Sequence, residues 1–178
     1  MSHPVFVGDR AGRRLISHVA RNNDHAALLQ DGLAATATFL DTGGYVSPSW
    51  YPAAPARDSA PTWVFRVAHV HGRLRLLSRA ETMRHLVDLV AQTKAGRDHG
   101  WSIGELGREG VQRRLDAIQG FTLEIERIEA SFRLGQDERQ RDLAAAVAAY
   151  DALGESRLAG LMRAARGDLP PAPGGQDD

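Results

Sequence analysis

The chain contains no cysteine, which excludes disulfides, thiolate metal sites and cysteine nucleophiles. It has almost no lysine: Lys94 is the single one among 22 Lys and Arg residues. It has no excess charge of either sign, since 22 cations meet 22 Asp and Glu. A duplex-binding surface usually shows as a basic excess, because phosphate neutralisation supplies most of the affinity. Long apolar runs are also missing, and nothing approaches the roughly 18 residues that a membrane-spanning helix needs. The start, MSHPVFVGDRAGRR, lacks the apolar core of a secretory leader, so the cytoplasm is the expected location. Aromatic residues make up only 6% of the 178 residues.

What is present is ordinary for a globular chain: 43% apolar and 25% charged residues. Short apolar segments alternate with turn residues through the first third. Residues 3–7 and 14–20 read as a hairpin around GDRAG, and residues 33–40 as a strand between glycines. Residues 23–30 predict a short helix, with Asn23 or Asp24 as its cap and Gly32 as its stop. In TWVFRVAHVHGRLRLLS from Thr62, side chains alternate between two faces. His71-Gly72 reads there as a bend, with 73–77 returning as the next strand.

Ser78 and Glu81 form an S-x-x-E capping box. Met83, Leu86, Val87 and Val90 then follow at helical spacing, predicting an amphipathic helix to about Lys94. The glycine-rich stretch 96–110 reads mostly as loop, followed by a helix from about Glu109 to Ile118. Phe121, Leu123 and Ile125 alternate with polar residues as a half-buried strand, and 130–134 reads as another. Leu143, Val147 and Tyr150, then Leu158, Leu161 and Met162, predict two helices separated by Gly154. The fold class expected is α+β, antiparallel, with peripheral and C-terminal helices. The GDLPPAPGGQDD tail, 168–178, has little to bury and is expected to be disordered.

Several groups carry possible chemistry. His69-x-His71 at a strand end is either half of a metal site or a structural pair. His18 to Asn23 closes a strand and opens a helix, where an Arg fork and exposed amides suit a phosphate as well as an ordinary solvated turn. The glycine-rich stretch lacks the G-K-[ST] ending of a phosphate loop, and no G-x-S-x-G elbow is present. Arginines at 139, 141, 157, 163 and 166 are interleaved with acids, which favours a solvated helix face over a nucleic-acid one. In YVSPSWY (45–51), Pro48 interrupts the strand, placing rings and hydroxyls at an edge where they either pack a core or flank a planar ligand.

Four blocks occur in order: HVARNN (18–23), YVSPSWY (45–51), PTWVFRVAHVHGRLR (61–75) and GFTLEIERIEASFRLGQ (120–136). Together they resemble the PaiB-type family of FMN-binding negative transcriptional regulators. The resemblance implies an antiparallel split β-barrel over 1–136, helices over 137–167 and the tail beyond. It implies a homodimer with FMN near the subunit interface. Carried over, His18, Arg21, Asn22, Ser47, Trp50, Thr62, Trp63 and Gln136 are the cofactor-binding candidates. Arg21 is expected at the phosphate, with Trp50, Thr62 and Gln136 around the ring. The implied function is that of an FMN-binding negative transcriptional regulator, with DNA as a partner that the charge balance does not favour. The same barrel supports flavin-dependent oxidoreductases, for which no catalytic residue stands out. Val64-Phe65 stands where the family usually has Asn-Tyr, and Gly135 and Asp137 replace Ser and Asn; a cofactor-free partner subunit is therefore the third reading. Relatives commonly begin some tens of residues earlier, so either an upstream start or a partner subunit over the barrel edge is expected.

Overall fold

The computed structural model describes residues 5–9, 11–41, 43–52, 59–94 and 100–167; the 168–178 tail lies outside them. Six strands form one sheet: β1 (Val7–Gly8), β2 (Arg14–Ala20), β3 (Ala34–Leu40), β4 (Gly44–Val46), β5 (Thr62–Leu76) and β6 (Ile118–Arg133). Their order is β1-β2-β6-β5-β3, with β4 paired to β5. Four helices complete the architecture: α1 (Arg79–Lys94), α2 (Gly107–Asp116), α3 (Gln140–Ala152) and α4 (Ser156–Arg166). The α+β antiparallel class expected of a split-barrel flavin fold is borne out. The chain divides into two compact units, Met1–Ala37 with Val70–Ile128, and Thr38–His69 with Glu129–Asp178.

In the first unit, β1 and β2 form the expected hairpin, pairing Val7 with Ile16 and Gly8 with Leu15. Asp9 closes its turn, since one carboxylate oxygen accepts from the amides of Arg13 (2.7 Å) and Arg14 (3.1 Å). β2 runs antiparallel to β6, from Arg14 opposite Glu124 to Ala20 opposite Ile118. Val19, Leu29, Ala37, Val70, Leu74, Phe121 and Leu123 make the core. Asn23 accepts from the His25 amide at 2.9 Å and caps a single turn of 3₁₀ helix, Asp24–Leu28, at the position of the expected short helix.

The bend expected at His71-Gly72 does not exist. β5 runs unbroken for 15 residues. Glycine is there for close approach: a Cβ on Gly72 would lie 2.0 Å from the Glu124 carbonyl oxygen. The two strands expected over 121–125 and 130–134 are likewise one, the 16-residue β6.

The Ser78–Glu81 box opens α1 as expected. Glu81 accepts from the Ser78 amide at 2.9 Å, and the Ser78 hydroxyl accepts from the Glu81 amide at 3.3 Å. The bonds from Ser78, with a smaller contribution from Arg75, hold the Glu81 carboxyl down at about 2. The buried face of α1 is Thr82 and His85, whereas Val87 is 44% exposed. The helix is turned by about one residue from the expected stripe. Gly120 allows this, for a Cβ there would meet the Thr82 hydroxyl at 2.5 Å.

Part of the glycine-rich stretch is helical rather than loop. Ser102 and Glu105 form a second capping box over a 3₁₀ turn, Ile103–Leu106, and α2 begins directly at Gly107.

The second unit contains the C-terminal helices. α3 and α4 form as expected, with Gly154 at φ 79° between them, a left-handed conformation that favours glycine. Leu143, Val147, Tyr150, Leu158 and Met162 are buried together with Val46, Tyr51, Val64 and Leu134. YVSPSWY straddles the end of β4. The Ser47 hydroxyl accepts from the Ser49 amide at 3.2 Å, capping a 3₁₀ turn, Pro48–Trp50. Pro48 ends the strand as expected, because it has no N–H for a ladder and its fixed φ suits a helical first position.

Candidate functional site

At the end of β2 in the first unit, the Arg21 amide donates to the Ala117 carbonyl at 2.8 Å. The next turn closes when the Asn23 amide donates to Ala20 O at 3.0 Å. These bonds fix the backbone and leave the Arg21 and Asn22 side chains exposed. Among the described residues, neither has a side-chain partner. A guanidinium fork and a carboxamide on a rigid strand end are donors of the kind that hold a phosphate monoester.

His18 is placed differently. Its Nδ1 lies 3.1 Å from His85 Nε2, with ring centroids 5.3 Å apart at 61°. His18 also lines a cavity of about 260 Å³, with Leu86, Trp101, Ile103, Leu106, Val111, Arg114, Ala117 and Ile118. His85 is 3% exposed, and its Nδ1 is buried without a hydrogen bond. Burial, and then the neighbouring His18, push the His85 pKa down to about 4; burial lowers His18 too. Both rings are neutral near pH 7.

A pH dependence of stability follows. The folded-state value of His85 lies below its unfolded value of about 6.5, so the unfolded chain binds the extra proton. Its contribution is full above about pH 6.5 and is lost as pH falls toward about 4. The shift corresponds to at most about 3 kcal/mol. Urea unfolding of the wild type and of His85→Gln from pH 7 to pH 4 is expected to show a shallower slope in the variant. Parallel curves would remove His85 as the cause.

In the second unit, Trp50 packs edge-on to Tyr150 (5.3 Å, 74°) and leans on the core. Trp63 stands across from Tyr45 in register, 54% and 48% exposed. Thr62 lines a water-sized gap with Tyr51, Val64, Gly135 and Met162. Gln136 is occupied by its own strand end: it accepts from the Leu134 amide at 2.7 Å and donates to Phe132 O at 2.8 Å. Ser47 is engaged as a cap. The structure therefore gathers Arg21 and Asn22 at one strand end, assigns His18 to the cavity, and holds the remaining candidates in the second unit.

His69 and His71 are each engaged by a threonine of β3. The His69 ring meets the Thr38 hydroxyl at 3.0 Å, and the His71 ring meets Thr36 at 3.0 Å. No group of three or more metal-binding side chains gathers among the described residues.

A model of the family described as a putative FMN-binding domain matches residues 1–127. The chain belongs to that family. The FMN assignment expected from the sequence is borne out, and FMN is the cofactor of this domain. Among curated proteins, the chain is 28% identical over 104 residues to the protease synthase and sporulation protein PAI 2 of Bacillus subtilis (strain 168). That match covers 58% of this chain and 48% of the relative. It is 35% identical over 75 residues to the uncharacterized protein YKL070W of Saccharomyces cerevisiae, covering 41% of this chain and 44% of that protein. The matches thus span less than half the length of these curated relatives. Among solved structures, it is similar to the flavocytochrome Anf3 of Azotobacter vinelandii, at 20% identity and TM-score 0.43, over 73% of this chain and 54% of that one. The FAD and heme binding protein of Mycobacterium smegmatis matches at 21% identity and TM-score 0.48, over 80% of this chain and 66% of the other.

Sequence reading of this FMN-binding domain missed His85 and the cavity wall at Trp101, Leu106 and Arg114. Two signals were available. Ser102-x-x-Glu105 repeats the capping pattern of Ser78-x-x-Glu81, and a tryptophan inside a glycine-rich run has to rest on something.

Proposed function

We propose that the domain holds FMN with Arg21 and Asn22 at its phosphate and acts as a negative regulator of the PaiB type. The family match over residues 1–127 carries this reading. The exposed Arg21 and Asn22 side chains, without a side-chain partner among the described residues, supply the donor chemistry a phosphate requires. Bound FMN supplies reversible redox chemistry and visible absorbance. The chain's own residues bind and orient it. The regulatory role rests on likeness to PAI 2 and on the four sequence blocks. Zero net charge favours regulation through a partner protein over tight duplex binding.

Among the described residues, no helix is long and apolar enough to cross a membrane. A cytoplasmic homodimer is part of the proposal; the exposed Tyr45 and Trp63 side chains support the dimer, since aromatic residues are enriched at interfaces. Flavin-dependent oxidoreduction is the second reading, since the same barrel fold supports that chemistry.

The test is the visible spectrum of the purified full chain, followed by FMN titration. Yellow protein with saturable flavin quenching is expected. Arg21→Ala is expected to weaken FMN about 10- to 100-fold, because a hydrogen bond to a charged group contributes about 1.5–3 kcal/mol. A colourless protein that quenches no added FMN would overturn the FMN reading and favour a cofactor-free subunit.

A further inference from the structure

The cavity of the first unit has no role in the FMN proposal. Its volume of about 260 Å³ lies under the roughly 300–1,000 Å³ of sites for drug-sized ligands. A single-ring molecule is the right size. Its wall is mainly apolar, from Leu86, Ile103, Leu106, Val111, Ala117 and Ile118, with the half-exposed Trp101 indole at hand for stacking.

Only two lining residues are polar, His18 and Arg114, and none is acidic. Arg114 spends one N–H on the Gly110 carbonyl at 3.2 Å. Among the described residues it has no carboxylate partner.

The tautomer of His18 follows from hydrogen-bond balance. Nδ1 of His18 and Nε2 of His85 share one proton. Were His18 the donor, neutral His85 would carry its own proton on Nδ1, a buried N–H with no acceptor. Orphaned buried N–H groups are rarer than under-satisfied acceptors. His85 Nε2–H is therefore the donor, and the His18 proton sits on Nε2, the nitrogen left for a ligand.

We infer that this cavity is a binding site for a small aromatic carboxylate, with Trp101 and the aliphatic wall holding the ring, and His18 Nε2–H and the Arg114 guanidinium meeting the carboxylate. His85 is a positioning residue that fixes the His18 tautomer. The ligand is expected to bind whether or not flavin is bound, since Arg21 and Asn22 do not line the cavity.

The test uses the full chain, with and without saturating FMN, and benzoate as the probe, followed by calorimetry and tryptophan emission. Saturable benzoate binding is expected, with at least tenfold weaker binding of benzamide, which has the same shape without the charge. Arg114→Gln is expected to cost about tenfold in benzoate affinity while leaving FMN titration unchanged. Val111→Phe, which fills the cavity, is expected to abolish benzoate binding. Arg114 is exposed, so its variant keeps the test alive if Val111→Phe does not fold. Absence of saturable benzoate binding, equal affinity for benzamide, an unchanged affinity in Arg114→Gln, or competition between benzoate and FMN would each overturn the proposal.

Discussion

Gly72→Ala is expected to destabilise the protein by about 3 kcal/mol or more, the upper part of the range for overpacking. Elsewhere in a strand the same change is stabilising by roughly 0.5–1 kcal/mol, because alanine has less chain entropy to lose. The sign reverses here because the added methyl would sit 2.0 Å from Glu124 O and 2.8 Å from its carbonyl carbon. Neither is the movable end of a side chain. Glu124 is held in register opposite Arg14 on β2, and the amide of Ile125 donates to Arg13 O at 2.9 Å. Relief at Gly72 therefore has to displace backbone that β2 also uses. In a thermal melt the loss corresponds to a drop of roughly 6–12 °C for a chain of this size. A Gly72→Ala protein as stable as wild type in urea would show that the strands part at no cost, against this account.

Tyr150→Ala should cost about 3–5 kcal/mol, as for a large buried aromatic. Tyr150 joins three contributions in the second unit. Its ring fills the core beside Val147, Leu158 and Met162 and meets Trp50 edge-on. Its hydroxyl donates to the Tyr45 carbonyl at 2.7 Å, tying α3 to β4. Burial, with a smaller effect from Glu155, pushes the phenol up to about 12, so the donor keeps its proton through any physiological pH. Tyr150→Phe isolates the hydroxyl and is expected to cost only about 1–2 kcal/mol. Equal losses in the two variants would mean that the ring packing is worth nothing, contrary to its burial.

The fold class was legible because its two periodicities are clear: period two in 121–125, and helical spacing in 143–150 and 158–162. The Ser78-x-x-Glu81 start and the capping Asn23 were legible too, since their chemistry is local. The failures share one physical origin. Gly72 punctuates a sequence, yet its role is set by a carbonyl 52 positions away on a neighbouring strand. The stripe on α1 pointed to Val87, while Gly120 made room for Thr82 instead. Of the candidate site residues, Arg21 and Asn22 announce themselves through a contiguous motif. The pairing of His18 with His85 spans 67 positions and leaves no local trace. Gln136 carries a motif position, yet its amide is spent on neighbouring backbone.

The three tryptophans sit in different surroundings. Trp101 lines the cavity of the first unit; Trp50 lies against Tyr150 and Trp63 is half bare, both in the second. In a chain without cysteine to label, they are built-in optical reporters. A variant retaining only Trp101 watches the first unit, and one retaining only Trp50 watches the second. Their emission during a single denaturant titration reads out whether the two units melt together or in turn.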